Sequence, residues 1–269
     1  MPVHDDLGNR MKEYEAVPKI KLMKRTPVAI RIDGKAFHTF TKGLYKPFDD
    51  ILVKAMQETM RYLCKNIQGC VFGYTQSDEI TLILTDYATF ETSAWFDYEV
   101  QKICSIVASM ATMAFNKFFT KNVNAYLDYY YDTWNVTVED QTYVDILNKA
   151  IEKGAIFDAR CFNISKEEVT NLVYWRQLDA MRNSIQSVGQ AHFSHKELQG
   201  KTCEMIKEML RTREGLRPWE EYPIHLQRGT ACCKIEVVYM DNSPHTIWYI
   251  DENMPILKGE GREYLERLI

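Results

Sequence analysis

Apolar and polar residues alternate over residues 28–33 (VAIRID), with Val28, Ile30 and Ile32 set against Ala29, Arg31 and Asp33. A period of two predicts a strand with one buried face, and Asp33 leaves that strand at its end. Over residues 49–65 the spacing becomes three and four, so Leu52, Ala55, Met56, Thr59, Met60 and Leu63 form the stripe of an amphipathic helix. Two further strand-like runs, 70–75 and 79–84 (CVFGYT and EITLIL), are separated by Gln76, Ser77 and Asp78. This arrangement predicts a hairpin with an acidic tip. A wide apolar surface over 95–119, including Val100, Ile103, Val107, Met110, Ala114 and Phe115, predicts a largely buried helix. A strand at 155–162 (AIFDARCF) then completes the order β-α-β-β-α-β, a split β-α-β sheet of the ferredoxin-like kind in an α+β fold.

The intervening segment is rich in Tyr and Asp and gives no clear element; burial against a neighbouring helix is the expected use of Tyr126 to Tyr131. Beyond residue 163 the chain reads as mostly helical. Ser165 with Glu168, and Ser194 with Glu197, have capping-box spacing. A short β tail follows around 231–240 and 245–250. There is no repeat, low-complexity tract or Gly/Ser linker, so regions 1–163 and 164–269 are expected to share one domain.

Composition narrows the class. Hydrophobic residues are 46% and charged residues 26% of 269, the balance of a globular chain without a long disordered region. The N-terminus lacks an apolar signal core, and no run reaches the ~20 uninterrupted apolar residues of a membrane helix, so a cytoplasmic chain without a membrane partner is expected. Seven cysteines without a CxxC pair read as reduced core thiols, not a disulfide framework or a zinc site. A formal charge of -4 excludes coating nucleic acid through bulk positive charge, so any RNA contact must be a local basic patch.

Candidate chemistry gathers at two turns. Arg31 to Lys35 puts a carboxylate at a strand end, followed by glycine and positive charge; Gln76 to Glu79 puts two acids at a hairpin tip. Each alone is an ordinary turn. Together they weigh more, because the expected sheet sets the end of its first strand beside that hairpin, so Asp33 and Asp78 could face each other. Hard oxygen ligands of this kind suit Mg²⁺, which takes one or two protein carboxylates and fills its other positions with water and phosphate oxygens. Two ions between two aspartates can hold the attacking and leaving oxygens of an in-line phosphoryl displacement.

The segments RIDGKAFHTFTKGLYKP, GYTQSDE, FDAR and YWRQLDAMRNSIQ resemble, in order and approximate spacing, signature segments of the tRNA(His) guanylyltransferase-like proteins; the likeness covers roughly residues 25 to 230. The resemblance implies a sheet like the palm of ordinary polymerases, with two Mg²⁺ ions on Asp33, Asp78 and the carbonyl of Gly34. It implies a nucleotide site formed by Asp33, Gly34, Lys35, Ala36, Phe37 and His38 with Ser77 and Asp78, and it makes Glu79 an acidic neighbour of the catalytic pair. Lys46 and Lys102 match positions expected at a triphosphate, and Arg160 matches a basic residue nearby. The implied reaction activates an RNA 5′-monophosphate with ATP and then joins GTP or another nucleoside triphosphate through its 3′-hydroxyl, so growth runs 3′ to 5′. Relatives are tetrameric, which implies a homotetramer.

The pattern departs at residues 180–187 (AMRNSIQS), where the eukaryotic guanylyltransferases carry HINNLYN and only Asn183 persists. This favours template-dependent repair of tRNA 5′ ends, with addition of a single G at position -1 as the alternative. Arg176, Arg182, Asn183, Lys196 and Lys201 are the expected RNA contacts, and Trp175 is expected in the core. His192 and His195 lack a third ligand and are read as non-metal residues. Two other classes compete: an inactive RNA-binding module, against which both aspartates speak, and a nucleotide cyclase, in which FDAR and the YWRQLDAMRNS helix are not expected.

Overall fold

The alternation at residues 28–33 becomes β1 (Val28–Gly34) in a computed structural model, which describes residues 5–132, 138–238 and 243–269. The strand pairs antiparallel with β3 (Glu79–Leu84) on one side and β4 (Phe157–Asn163) on the other. β2 (Cys70–Gln76) forms the expected hairpin with β3. The β tail is no appendage: β5 (Thr230–Val238) pairs with β2, β6 (Pro244–Asp251) pairs with β5, and one six-stranded sheet runs β4-β1-β3-β2-β5-β6.

Both faces of the sheet are covered. The helices are α1 (Asp6–Ala16), α2 (Phe37–Phe40), α3 (Asp50–Asn66), α4 (Val100–Asp132), α5 (Val138–Lys153), α6 (Lys166–His192), α7 (His195–Leu198), α8 (Cys203–Thr212), α9 (Ile224–Arg228) and α10 (Glu263–Glu266). On one face Val28, Ile30, Ile32, Ile80 and Leu82 pack with Met60 of α3 and with Phe115 and Phe119 of α4. On the other, Ala29, Phe72, Tyr74 and Ile83 pack with Val169 and Val173 of α6. The expectation of one buried face for β1 is therefore corrected: Ala29 is as buried as Val28, and only Arg31 and Asp33, towards the strand's end, keep partial exposure.

The expected helix at 95–119 starts at Val100 and runs on to Asp132, absorbing the tyrosine-rich stretch. There Tyr130 is buried, Tyr126 packs edge-on against Tyr143 of α5, and Tyr129 is exposed. By length and composition the part of α4 from Val100 to Tyr130 could cross a bilayer; here Ile103, Val107, Ala111, Phe115 and Phe119 give it a core-facing stripe. Ser165 caps α6 without a side-chain hydrogen bond, so that expected capping box does not form. The one at Ser194 and Glu197 does. All seven cysteines are free thiols.

Candidate active site

The register of the sheet assembles the site. Asp33 lies opposite Glu79 on β3 and opposite Asp158 on β4, so three carboxylates form a row at one end of the sheet. Directly opposed residues share a face. Two residues further in, on the same face, Arg31 lies opposite Arg160. Arg31 reaches Glu79 at 3.4 Å, and Arg160 reaches Asp158 at 3.0 Å. That hydrogen bond, and the charges of Asp158, Asp33 and Glu79, raise the Arg160 pKa against the opposing pull of burial.

The hairpin tip joins this row. Ser77 has a left-handed backbone (φ 50°), and its hydroxyl donates to Asp78 Oδ1 at 3.0 Å. The Gly34 amide donates to the Asp78 carbonyl at 3.2 Å, fixing the end of β1 to the turn. Gly34 is required sterically: a Cβ there would come within 2.2 Å of the Phe37 ring. That ring is locked in a core cluster with Phe40, Phe115 and Phe157. Phe37, expected to line the nucleotide site, is therefore a buried support for the turn, whereas Lys35, Ala36 and His38 are exposed. Ala36 has φ 52°, and His38 Nε2 lies 3.1 Å from the Thr39 hydroxyl.

Burial pushes the Asp78 carboxyl above its ordinary range; the charges of Asp33 and Glu79 push it further, while its own backbone amide and Ser77 oppose them. Two neighbouring carboxylates that repel one another, as Asp78 and Asp33 do, fit a cation between them. Among the described residues no three His, Cys, Asp or Glu form a closed metal cage. Two aspartates are a donor set that fits a hard ion completing its shell from water and phosphate, as Mg²⁺ does.

Beside the tip is a cavity of about 270 Å³, bordered by Lys46, Gln57, Thr75, Gln76, Ser77, Asn183, Ser187, His225 and Thr230, with Leu44, Leu52 and Met56 as apolar wall. The loop carrying Lys46 is anchored by Asp49. This carboxylate accepts from the amides of Tyr45 (3.1 Å) and Leu52 (3.0 Å) and from the Tyr143 hydroxyl (2.6 Å). A second, wider cavity of about 590 Å³ is lined by Lys46, Gln186, Gln190, His195, Gln199 and Lys201, so Lys46 borders both.

The remaining expected residues divide. Asn183 borders the first cavity and Lys201 the second; Lys196 is exposed on α7, and Arg182 is exposed and paired with Asp179. Arg176 corrects the expectation of an RNA contact. Its side chain is 5% exposed and bonded to Glu79 (2.5 Å) and Asp179 (2.8 Å), so it cannot meet an RNA backbone at the surface. Trp175 corrects the opposite way: it is 51% exposed, not core. Lys102 is not brought to the carboxylates. It sits over the Phe96 ring at the start of α4, where Cys104 meets Cys161, three residues along β4 from Asp158 and under the other face of the sheet. Sequence reasoning missed Asp158, although its place two residues before Arg160 in a strand sets both on one face.

The family model described as tRNAHis guanylyltransferase matches residues 8–165. An uncharacterized protein of Acanthamoeba polyphaga mimivirus is 27% identical over 91% of this chain and 82% of its own length. The tRNA(His) guanylyltransferase of Schizosaccharomyces pombe is 31% identical over 39% of this chain and 38% of its own. Among solved structures, a bacterial tRNA(His) guanylyltransferase-like protein in complex with ATP superposes with TM-score 0.79 at 37% identity, covering 98% of this chain and 99% of the other. A bacterial guanylyltransferase-like protein in complex with GTP gives TM-score 0.74 at 35% identity over 98% and 99% of the two chains. With more than half of its length matched by the family model, the chain belongs to the tRNA(His) guanylyltransferase family, a family of nucleotidyltransferases.

Proposed function

We propose that this protein adds nucleotides to the 5′ end of tRNA in the 3′-to-5′ direction, as a template-dependent repair enzyme. The observation that carries the reading is the row Asp158-Asp33-Glu79 closed by Asp78, set beside a cavity whose wall includes Ser77. Complexes of two structural relatives with ATP and GTP support a nucleoside triphosphate as the occupant. The strand order β4-β1-β3-β2 supports reading the core as a ferredoxin-like, polymerase-palm sheet.

In this reading Asp33 and Asp78, with the Gly34 carbonyl, would hold two Mg²⁺, which would supply positive charge for the leaving group and acidity for the attacking hydroxyl. The chain's own residues do the rest. The cavity orients the nucleoside, with Ser77 and Asn183 as polar contacts. Lys46, on the loop anchored by Asp49, offers a point charge to the triphosphate, and Arg160 can grip phosphate oxygens in pairs. The RNA 5′-phosphate first displaces pyrophosphate from ATP; the 3′-hydroxyl of the incoming nucleotide then attacks that phosphorus and AMP departs. Neither step needs a His or Cys nucleophile.

Addition of one G to tRNA(His) is the second reading, favoured by the name of the Schizosaccharomyces pombe relative. Residues 180–187 favour repair, because only Asn183 matches the eukaryotic motif. The two separate on paired substrates: tRNA(His) lacking G-1, and another tRNA lacking its first nucleotide. Repair predicts extension of both, stopping when the acceptor stem is fully paired. Extension of tRNA(His) alone would establish the second reading.

A further inference from the structure

We infer that Trp175 is the platform on which the terminal 5′ base of the acceptor RNA stacks. The inference deepens the transferase reading and rests on it for the identity of the ligand. Trp175 lies on α6 with about half its surface open. Its indole is nevertheless fixed. The Arg31 guanidinium lies 5.4 Å and that of Arg176 4.5 Å from the ring centroid, and both arginines are bonded to Glu79 in the acidic row. An open aromatic ring clamped to the carboxylates through two cations is pre-organised for stacking, which is sequence-tolerant because every base has a π-face.

Position adds a second argument. The nucleoside cavity lies on the β2 side of the acidic tip, at Thr75, Gln76 and Ser77. Trp175 lies over β1 through Arg31, whose neighbour across the strand pair is the half-exposed Arg160 on β4. Asp78, in the β2–β3 turn, stands between the two, and Asp33 ends β1 beside it. Phosphoryl transfer in line sets the attacking oxygen opposite the leaving oxygen, so the attacking substrate approaches from the side away from the leaving group. With the nucleotide on the β2 side, the acceptor end belongs on the β1 and β4 side, its base on Trp175 and its phosphate near Arg160.

The test is a binding cycle that does not depend on turnover. A 5′-monophosphorylated acceptor-stem hairpin with an unpaired 5′ nucleotide is compared with the same hairpin carrying an abasic 5′ residue, against wild type, Trp175→Leu and Trp175→Phe. Wild type should prefer the base-bearing RNA by about tenfold, Trp175→Leu should lose that preference, and Trp175→Phe should keep most of it. Equal binding of both RNAs by wild type, or a preference undiminished in Trp175→Leu, would overturn the inference. ATP-dependent adenylylation of the base-bearing RNA by wild type is read in parallel. An intact cycle without adenylylation defeats the transferase reading alone, and adenylylation with no preference for the base defeats only the stacking role.

Discussion

The amide of Gly34 donates to the carbonyl of Asp78 across 3.2 Å, so the end of β1 and the β2–β3 turn move as one piece. Two acids far apart in sequence are thereby held together, with Phe37 packed where a side chain at position 34 would stand. Gly34→Ala should therefore cost about 1–3 kcal/mol of stability, the usual penalty for overpacking, and should lower transfer more than stability alone explains. Chemical denaturation beside a single-turnover assay checks this. Wild-type stability in the variant would show that the ring gives way freely.

The raised pKa of Asp78 has a consequence with a definite sign. Below the ordinary carboxyl value of 3.8 the group is neutral folded and unfolded, and imposes no penalty. As pH rises through the raised folded value, the folded chain retains a proton that the unfolded chain has lost, so stability falls. In chelator at neutral pH, Asp78→Asn should melt above wild type, and the gap should close towards about pH 4. Mg²⁺ should raise the wild-type melting temperature and leave the variant unchanged. Melting curves across pH check both; a variant less stable than wild type at neutral pH contradicts the electrostatic account.

Arg176 is a structural cation in this account. Removing it leaves Glu79 with Arg31 alone and Asp179 with Arg182 and Asn183, and breaking a buried pair typically costs about 3–5 kcal/mol, less where such second partners remain. Arg176→Ala should therefore unfold at markedly lower denaturant concentration. Arg182→Ala, at an exposed side chain, should change stability by no more than ~1 kcal/mol. Equal midpoints for the two variants would place Arg176 at the surface.

The loop bearing Lys46 depends on a carboxylate remote from the chemistry. Tyr143→Phe removes one of the three hydrogen bonds that Asp49 accepts, and Asp49→Ala removes all three together with the cap of α3. A graded rise in the KM for ATP is expected, a few-fold for Tyr143→Phe and larger for Asp49→Ala, with about 1 kcal/mol or more of stability lost in the latter. Unchanged KM in both would detach Lys46 from the nucleotide.

Much of the site was legible because it is local. The alternation around Asp33 and the polar break at Ser77 and Asp78 are short-range signals, and they placed the strand end and the turn. Asp158 was not read, because its partnership with Asp33 depends on the β1–β4 register across 124 intervening positions. Trp175 and Arg176 were exchanged because residue type was weighted over helical period. Val169, Val173, Arg176 and Ala180 repeat at three and four and form the buried stripe of α6, and Trp175 falls off it. The cavity draws on the loop before α3, the end of β2, the middle of α6 and the start of β5. Such convergence has no signal in any one segment.

The central claim is that Asp33 and Asp78 form the centre of a 5′-end nucleotidyltransferase. The most direct measurement incubates a 5′-monophosphorylated tRNA lacking its first nucleotide with Mg²⁺, ATP and all four nucleoside triphosphates, using wild type and Asp78→Ala. Wild type should form the adenylylated 5′ end and then a templated product, and Asp78→Ala should fall by at least about 100-fold in both steps. Wild type that binds the tRNA yet yields neither intermediate nor product, or an Asp78→Ala variant as active as wild type, would contradict the account.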